Sequence, residues 1–296
     1  MAVRIGNAIY RDNKKRSQRP YAIEKREKDV NTLYIEADGS MVPLVGEGCV
    51  EYKENKLGIV YNNKDIVQKR SRKGKESTEI IRKRLISSLA RGVEPFKKMI
   101  YAAAIEKGYF KAKNVIFLSD GAAWLSKLKD QFFSKAVKIL DWYHAVEHLW
   151  TTARALFGEN DEAKCRLWVS PLEDLLWEGK VDNVIQLIDK EIFNRKQKQK
   201  PLIELRGYYY SNRDSMKYDK YRKNGWLIGS GPVESANKYI VNQRIKQSGM
   251  KWIRLHANAI IWARCKYHEN EWDEFWEDMK LADYLNEIPV DDKMVA

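Results

Sequence analysis

The clearest two-residue alternation lies in TLYIEAD, where Leu33, Ile35 and Ala37 alternate with Tyr34, Glu36 and Asp38. That period predicts a strand with one face buried. Asp38-Gly39 interrupts it before MVPLV resumes, and KLGIVYN reads as another short strand, so an antiparallel start to a sheet is expected. A basic stretch, QKRSRKGKESTE, leads into two expected helices near 78–91 and 94–107. NVIFLSD carries a continuous apolar run from Val115 to Leu118, the mark of a strand covered on both faces. It ends in Asp120-Gly121; AAWLSKLKDQFF then reads as a helix, and VKILD as a strand ending in Asp141. Strand-helix-strand order with carboxylates at strand ends puts acidic groups at the carboxyl edge of a parallel sheet, where open α/β sheets bind ligands.

From His144 to about Asn194 the spacing turns helical, as in Leu172, Leu175, Leu176 and Val184, Leu187, Ile188. KQKQKP breaks the pattern, and LIELRGYYYSNRD predicts a further helix. After the Gly-rich GWLIGSGPVE, one long helix is expected, then an aromatic one around Trp272 to Trp276. The predicted class is α/β: a mixed sheet flanked by helices, with a large all-helical insertion at about 144–225. Residues 1–31, charged and short of apolar periodicity, read as a basic arm or linker; 32–276 as the main domain; 277–296 as an acidic tail.

Composition narrows the classes. The chain has 296 residues, 44% apolar and 11% aromatic, too rich in core-forming residues for a disordered chain. Its longest apolar run, Met99 to Ile105, is seven residues, against the roughly 20 of a membrane span. MAVRIGNAIYRDNKK holds no apolar stretch of signal-peptide length. Cys49, Cys165 and Cys265, spaced about a hundred residues apart, give neither a disulfide framework nor a zinc cluster and suit a reducing cytosol. Net charge is +13; residues 269–296 carry −8, which leaves +21 on the rest. A body this basic points to a polyanion, of which nucleic acid is the commonest.

Three carboxylates sit where metal chemistry would need them: Asp38 and Asp120 at strand ends, and Glu234 in the first turn of a helix. With Gly231 as cap, Pro232 takes the first helical position, where its missing donor costs nothing. Glu234 then falls where the helix dipole favours its ionised form. Mg2+ takes one or two carboxylates per ion, and two ions about 3.5–4 Å apart clamp the attacking and leaving oxygens of phosphoryl transfer. Taken singly, each residue has a plainer reading: a turn, a helix cap, a dipole-matched acid.

The run SNRDSMKYDKYRKNGWLIGSGPVESANKYIVNQRIKQSGMKW, with DWYHAVEHLW and LSDGAAW before it, resembles the catalytic half of the ISKra-type insertion-sequence transposases. These are bacterial relatives of the Mutator-like DDE transposases. The resemblance spans roughly residues 32–276, and GSGPVES followed by NQRIKQSGMKW is its most specific part. It implies an RNase H-like fold with a helical insertion before the last catalytic helix, for which the 114-residue interval from Asp120 to Glu234 leaves room. It further implies that Asp38, Asp120 and Glu234 are catalytic and hold Mg2+ or Mn2+. Water would cut at the element's end, and the freed 3′-hydroxyl would attack target DNA. Element ends and target DNA are the implied partners, with a homo-oligomer assembled on DNA, no membrane, and a bacterial cytoplasmic setting at the nucleoid.

Asp141-Trp142-Tyr143-His144 resembles the C/D-x-x-H signature of the Mutator-like enzymes. His144 is thereby a candidate catalytic proton shuttle or phosphate contact. Asp141 would orient that imidazole, or replace Asp38 as a ligand. His148 shares a helix face with His144, with Glu147 between them, which is not the H-E-x-x-H zinc pattern. Lys238, Arg244, Lys246, Lys251 and Arg254 are expected on the helix of Glu234 and the turn after it, lining a DNA groove through phosphate contacts. Arg213 and Arg222 are phosphate clamps on motif grounds alone. Trp124, Trp142, Trp150 and Trp252 suit either a core or base stacking.

Two other classes stay open: a metal-dependent nuclease of similar fold, and a non-catalytic DNA-binding derivative such as a repressor made from a truncated element. Transposases of this kind carry a DNA-recognition region before the catalytic core, and only a basic arm precedes residue 32 here. The expectation is an amino-terminally shortened transposase that prefers its element ends by less than about tenfold.

Overall fold

The computed structural model describes residues 2–19, 30–46, 49–70, 76–89, 92–195, 197–247 and 249–279. Its strands are β1 (Thr32–Val45), β2 (Val50–Asn62), β3 (Ile66–Arg70), β4 (Glu76–Ile80), β5 (Arg84–Leu89), β6 (Asn114–Ser119) and β7 (Val137–Leu140). The helices are α1 (Ala2–Gln18), α2 (Val93–Glu106), α3 (Ala123–Phe132), α4 (Trp142–Phe157), α5 (Glu162–Trp177) and α6 (Val181–Asn194). They continue with α7 (Gln199–Asn212), α8 (Tyr218–Lys223), α9 (Gly231–Asn237), α10 (Gln243–Ile245), α11 (Arg254–His268) and α12 (Trp272–Met279). The fold is α/β, with a mixed sheet in the order β5-β2-β1-β6-β7 and a separate β3–β4 ribbon. The chain divides into two compact units: Met1–Phe117, Leu128–Ala136 and Gly231–Ala296 in the first, Leu118–Lys127 and Val137–Ser230 in the second.

In the first unit β1 and β2 form a long antiparallel pair, from Leu33 opposite Asn62 to Val45 opposite Val50, and β5 adds antiparallel to β2. Asp38 and Gly39 are not a turn. They pair with Leu57 and Lys56 in mid-strand, and a side chain at Gly39 would strike the Glu54 carboxylate. The expected outward face of β1 is also covered: Tyr34 and Glu36 are buried along with Leu33, Ile35 and Ala37. Phe96 and Ile100 of α2 pack on Gly58, which pairs with Ala37. On the opposite face α9 meets Glu36 and Asp38.

The expected helix at 78–91 is instead strands β4 and β5. Every side chain of Arg84–Leu89 is buried, with α2 and α11 both packing on β5. A strand buried on both sides shows no alternation, so periodicity does not separate it from a helix. Residues 2–18, where the sequence predicts an arm, form α1, packed on α11 and α2. Its buried positions are Gly6, Asn7, Ala8, Ile9 and Asn13; with Ile9 the one large apolar side chain among them, they give no apolar stripe. Gly6 lies against the Ala259 backbone with no room for a Cβ. Residues 20–29 of the expected arm and 280–296 of the expected acidic tail lie outside the described residues.

Polar anchoring completes this unit. Arg84, 2% exposed, lies 3.6 Å from Glu106, 3.3 Å from Glu269 and 3.5 Å from Glu271. It also donates to Asn13 of α1 at 2.8 Å, and Arg16 of α1 reaches Glu106 at 3.1 Å. The single long helix expected after the Gly-rich turn is interrupted: α9 passes into a π-helical turn at Lys238–Asn242, then α10, and α11 starts only at Arg254.

The second unit holds the end of β6, the start of α3, β7 and helices α4 to α8. Asp161 caps α5 by accepting the Lys164 N–H at 3.1 Å. KQKQKP ends α6 and places Pro201 in the first turn of α7, where proline is tolerated. Val169, Leu172, Leu176, Val184, Ile188, Leu202, Leu205 and Tyr209 form the helical core. Trp142 is buried edge-on against Trp177 and Tyr218, each at 5.0 Å, which is a packing role.

Candidate functional site

In the second unit, Asp120 directly follows β6 and Asp141 directly follows β7. The Asp141 N–H donates to the Ser119 carbonyl at 2.8 Å, so the two strand ends abut. Asp120 is half-buried; its Oδ1 accepts the Ala122 N–H at 2.8 Å, closing the turn into α3. Gly121 in that turn has φ 93°, a conformation that favours glycine, and a Cβ there would lie 3.1 Å from Leu140 and from the Tyr208 ring. The Tyr208 hydroxyl donates to the Asp120 carbonyl at 2.8 Å.

Asp141 is fully buried. Its Oδ1 accepts the His144 backbone N–H at 2.6 Å, capping α4, and its Oδ2 accepts the Ser230 N–H. With the Trp142 N–H on the Ile228 carbonyl at 2.9 Å, these bonds tie the β7 end to the Gly-rich GWLIGSG turn. Asp141 thus hydrogen-bonds the backbone N–H of His144, while a ring nitrogen of His144 lies within 4.8 Å of its carboxylate. The His144 side chain is 41% exposed, its Nδ1 3.9 Å from Glu147. His148, at the next turn of α4, stacks on Tyr208 at 3.9 Å. Burial, then His144, depresses the His148 imidazole, against the pull of Glu147 and Asp120. Burial raises the Tyr208 hydroxyl, reinforced by Asp120, Asp141 and Glu147, so Tyr208 stays a donor. Nothing in the pattern of LIELRGYYYSNRD marks Tyr208 as the residue that reaches this turn.

In the first unit, Asp38 is half-buried; its Oδ1 accepts the Gly39 N–H at 2.7 Å and its Oδ2 accepts Asn237 Nδ2 at 2.6 Å. Asn237 lies one turn beyond Glu234 on α9, so the unit brings Asp38 and the helix of Glu234 together. Helix α9 begins at Gly231, one residue before the expected start, and Glu234 is exposed in its first turn. The Val233 N–H, one of the first-turn donors, is taken by Glu36 at 3.1 Å. Glu36 also accepts the Tyr61 hydroxyl at 2.5 Å, and burial followed by Glu36 holds that hydroxyl protonated. Glu36 escaped the sequence reading because alternation put it outside.

The expected DNA-binding residues are spread over several elements. Lys238 is exposed at the π turn; Arg244, half-buried in α10, lies 5.0 Å from the Trp252 ring; Lys251 and Arg254 are exposed before and at the start of α11. Burial lowers the Lys246 ammonium while the nearby Asp38 opposes it. In the second unit Arg213 is exposed beside Tyr210, but Arg222 is engaged by Trp177, 3.6 Å over its ring and 2.8 Å from its carbonyl. Trp124 is half-buried, and Trp150 is half-buried near Arg154 and Arg166.

The donor chemistry suits a hard divalent cation: carboxylate oxygens, with one imidazole beside them. In the first unit the buried Asn237 Oδ1, which has no hydrogen-bond partner among the described residues, lies next to Asp38 and adds to that fit. Among the described residues Asp120 Oδ2 accepts no hydrogen bond, whereas both Asp141 oxygens already do. Asp120 is therefore the better placed of the two to give an oxygen to a metal. No protein-family model matches the chain, and no curated protein matches it.

Proposed function

We propose that the chain is the catalytic domain of a DDE-type DNA transposase with an RNase H-like fold, cleaving and joining DNA with Mg2+ or Mn2+. The observation that carries this reading is Asp120, half-buried at the end of β6 where it abuts the β7 end, with an Oδ2 that accepts no hydrogen bond among the described residues, in a chain of net charge +13. The antiparallel β5-β2-β1 start and the Asn237–Asp38 bond support it further. Asp38, Asp120 and Glu234 would hold the metal, with Asp141 as the rival ligand to Asp38 and His144 as the candidate imidazole. Bound ions would sharpen the attacking oxygen and offset charge on the leaving one.

The protein's own groups do the rest. Tyr208 and the Ala122 N–H fix the Asp120 turn; Asn237 fixes Asp38. His144, partly exposed, contacts a phosphate or carries a proton. Lys238, Lys246, Lys251, Arg254 and Arg213 hold the DNA backbone.

The test is strand transfer by the full chain with a pre-cut duplex from the DNA flanking its gene. Asp38→Asn, Asp120→Asn and Glu234→Gln should each lower the rate by at least about a hundredfold. Binding of the duplex in chelator should stay constant. A variant that keeps its rate removes that residue from the site, and Asp141→Asn then takes its place in the test. Cutting without joining would make the chain a nuclease; binding with no metal-dependent cleavage would make it a non-catalytic derivative.

A further inference from the structure

A groove of about 580 Å³ runs along α1 in the first unit. Tyr10, Lys14, Ser17 and Gln18 line it from α1, and Pro95, Lys98, Met99 and Tyr101 from α2, with Phe132 at the end of α3. The volume falls within the range of small-ligand sites, about 300–1,000 Å³. Its chemistry is specific in two respects. The interior is aromatic: Tyr10, Tyr101 and Phe132 line it, and Tyr101 and Phe132 already lie 5.4 Å apart. The margin is cationic: Lys14 and Lys98 are exposed, and among the described residues neither forms an ion pair. The one carboxylate in the lining, Glu94, is neutralised by Lys97 at 2.7 Å. The groove thus carries two uncompensated positive charges around three rings.

We infer that this groove binds unpaired nucleotides of single-stranded DNA, the rings receiving bases and Lys14 and Lys98 receiving the flanking phosphates. A duplex keeps its base faces stacked inside, so it has nothing to place on the rings and does not seat in the groove where the two lysines would reach its phosphates. Ser17 and Gln18 add hydrogen-bonding groups at the same wall without demanding one base, which suits sequence-tolerant capture. The inference rests on the reading of the chain as a DNA-binding protein and assigns it a place for the unpaired strand that cleavage exposes.

The experiment measures binding of the full chain to fluorescent octathymidylate and to a fluorescent duplex, across a salt series. Lys14→Ala with Lys98→Ala should weaken octathymidylate binding by about tenfold or more. It should also reduce the slope of log affinity on log salt by about 1.4, two phosphates at about 0.7 each. Duplex binding should change less than about twofold. Phe132→Leu, which keeps an apolar side chain, should weaken octathymidylate by about fivefold with the salt slope unchanged. Its melting temperature, read alongside, separates lost stacking from lost folding, and the lysine pair, being exposed, carries the test if Phe132→Leu unfolds. Octathymidylate affinity unaltered in the lysine pair, or duplex affinity falling equally, overturns the groove while leaving the DNA reading intact. Failure of the unaltered chain to bind either probe overturns the DNA reading itself.

Discussion

In the first unit a fully buried carboxylate, Glu36, lies in mid-strand and is committed to a tyrosine hydroxyl and a helix N–H. In the second unit a fully buried carboxylate, Asp141, lies at a strand end and is committed to two backbone N–H groups. Each stands close to a half-buried aspartate, Asp38 or Asp120, that has a local backbone partner of its own. The pairing teaches which acids build the frame and which are left for chemistry. A carboxylate with every oxygen satisfied inside the protein is an anchor, and removing it strands its donors. A half-exposed one gives up little when it meets a cation instead.

The largest effect expected in either unit comes from the first unit's cation anchor. Arg84→Ala leaves Glu106, Glu269 and Glu271 facing each other around a vacated, buried site, although Lys266 still reaches Glu269 and Glu271 at 3.1 and 3.0 Å. Breaking such a buried network costs about 3–5 kcal/mol. Urea unfolding should show that loss. A change under about 1 kcal/mol would mean that the Arg84–Asn13 link does not hold α1, which leaves its seat to packing on α11 and to Arg16 on Glu106.

The second test separates anchor from chemistry directly. Asp141→Ala removes the α4 cap and leaves the buried Ser230 N–H unpaired, together about 2–4 kcal/mol. Asp120→Ala removes one turn bond near solvent and should cost less than about 1.5 kcal/mol. Equal losses in the two variants would erase the distinction between them.

How far the sequence foretold these roles depends on the local pattern. The ends of β6 and β7 were legible because a short apolar run closed by an aspartate has few other readings, as in Val115–Leu118 before Asp120. The helices of the second unit were legible from their spacing. Asp38-Gly39 misled because the dipeptide favours turns in isolation, while the long β1–β2 ladder holds it extended. Helix α1 was illegible because close approach at Gly6 and the Asn13 hydrogen bonds, not an apolar stripe, seat it. Tertiary contacts decided both. The same holds for Tyr208, whose role depends on the α7 helix arriving at a turn far away in sequence.

The smallest expected effect uses protons to compare the units. His148 in the second unit and His268 in the first are both depressed below the usual imidazole range, each chiefly by burial. For His148 the next cause is His144; for His268 it is Arg264 and then Lys83. A histidine depressed on folding is protonated more readily in the unfolded chain. Its contribution to stability is therefore complete above the unfolded value of about 6.5 and declines as pH falls through the lower folded value. His148→Gln and His268→Gln should each flatten the fall of melting temperature between about pH 7 and pH 5. Glu147 and Asp120 oppose the shift at His148, whereas both neighbouring charges at His268 are positive and reinforce it. Flattening should therefore be greater for His268→Gln. Curves parallel to the unaltered chain in both variants would show that neither imidazole changes its proton affinity on folding. A greater flattening for His148→Gln would show that burial outweighs the surrounding charge in setting its titration.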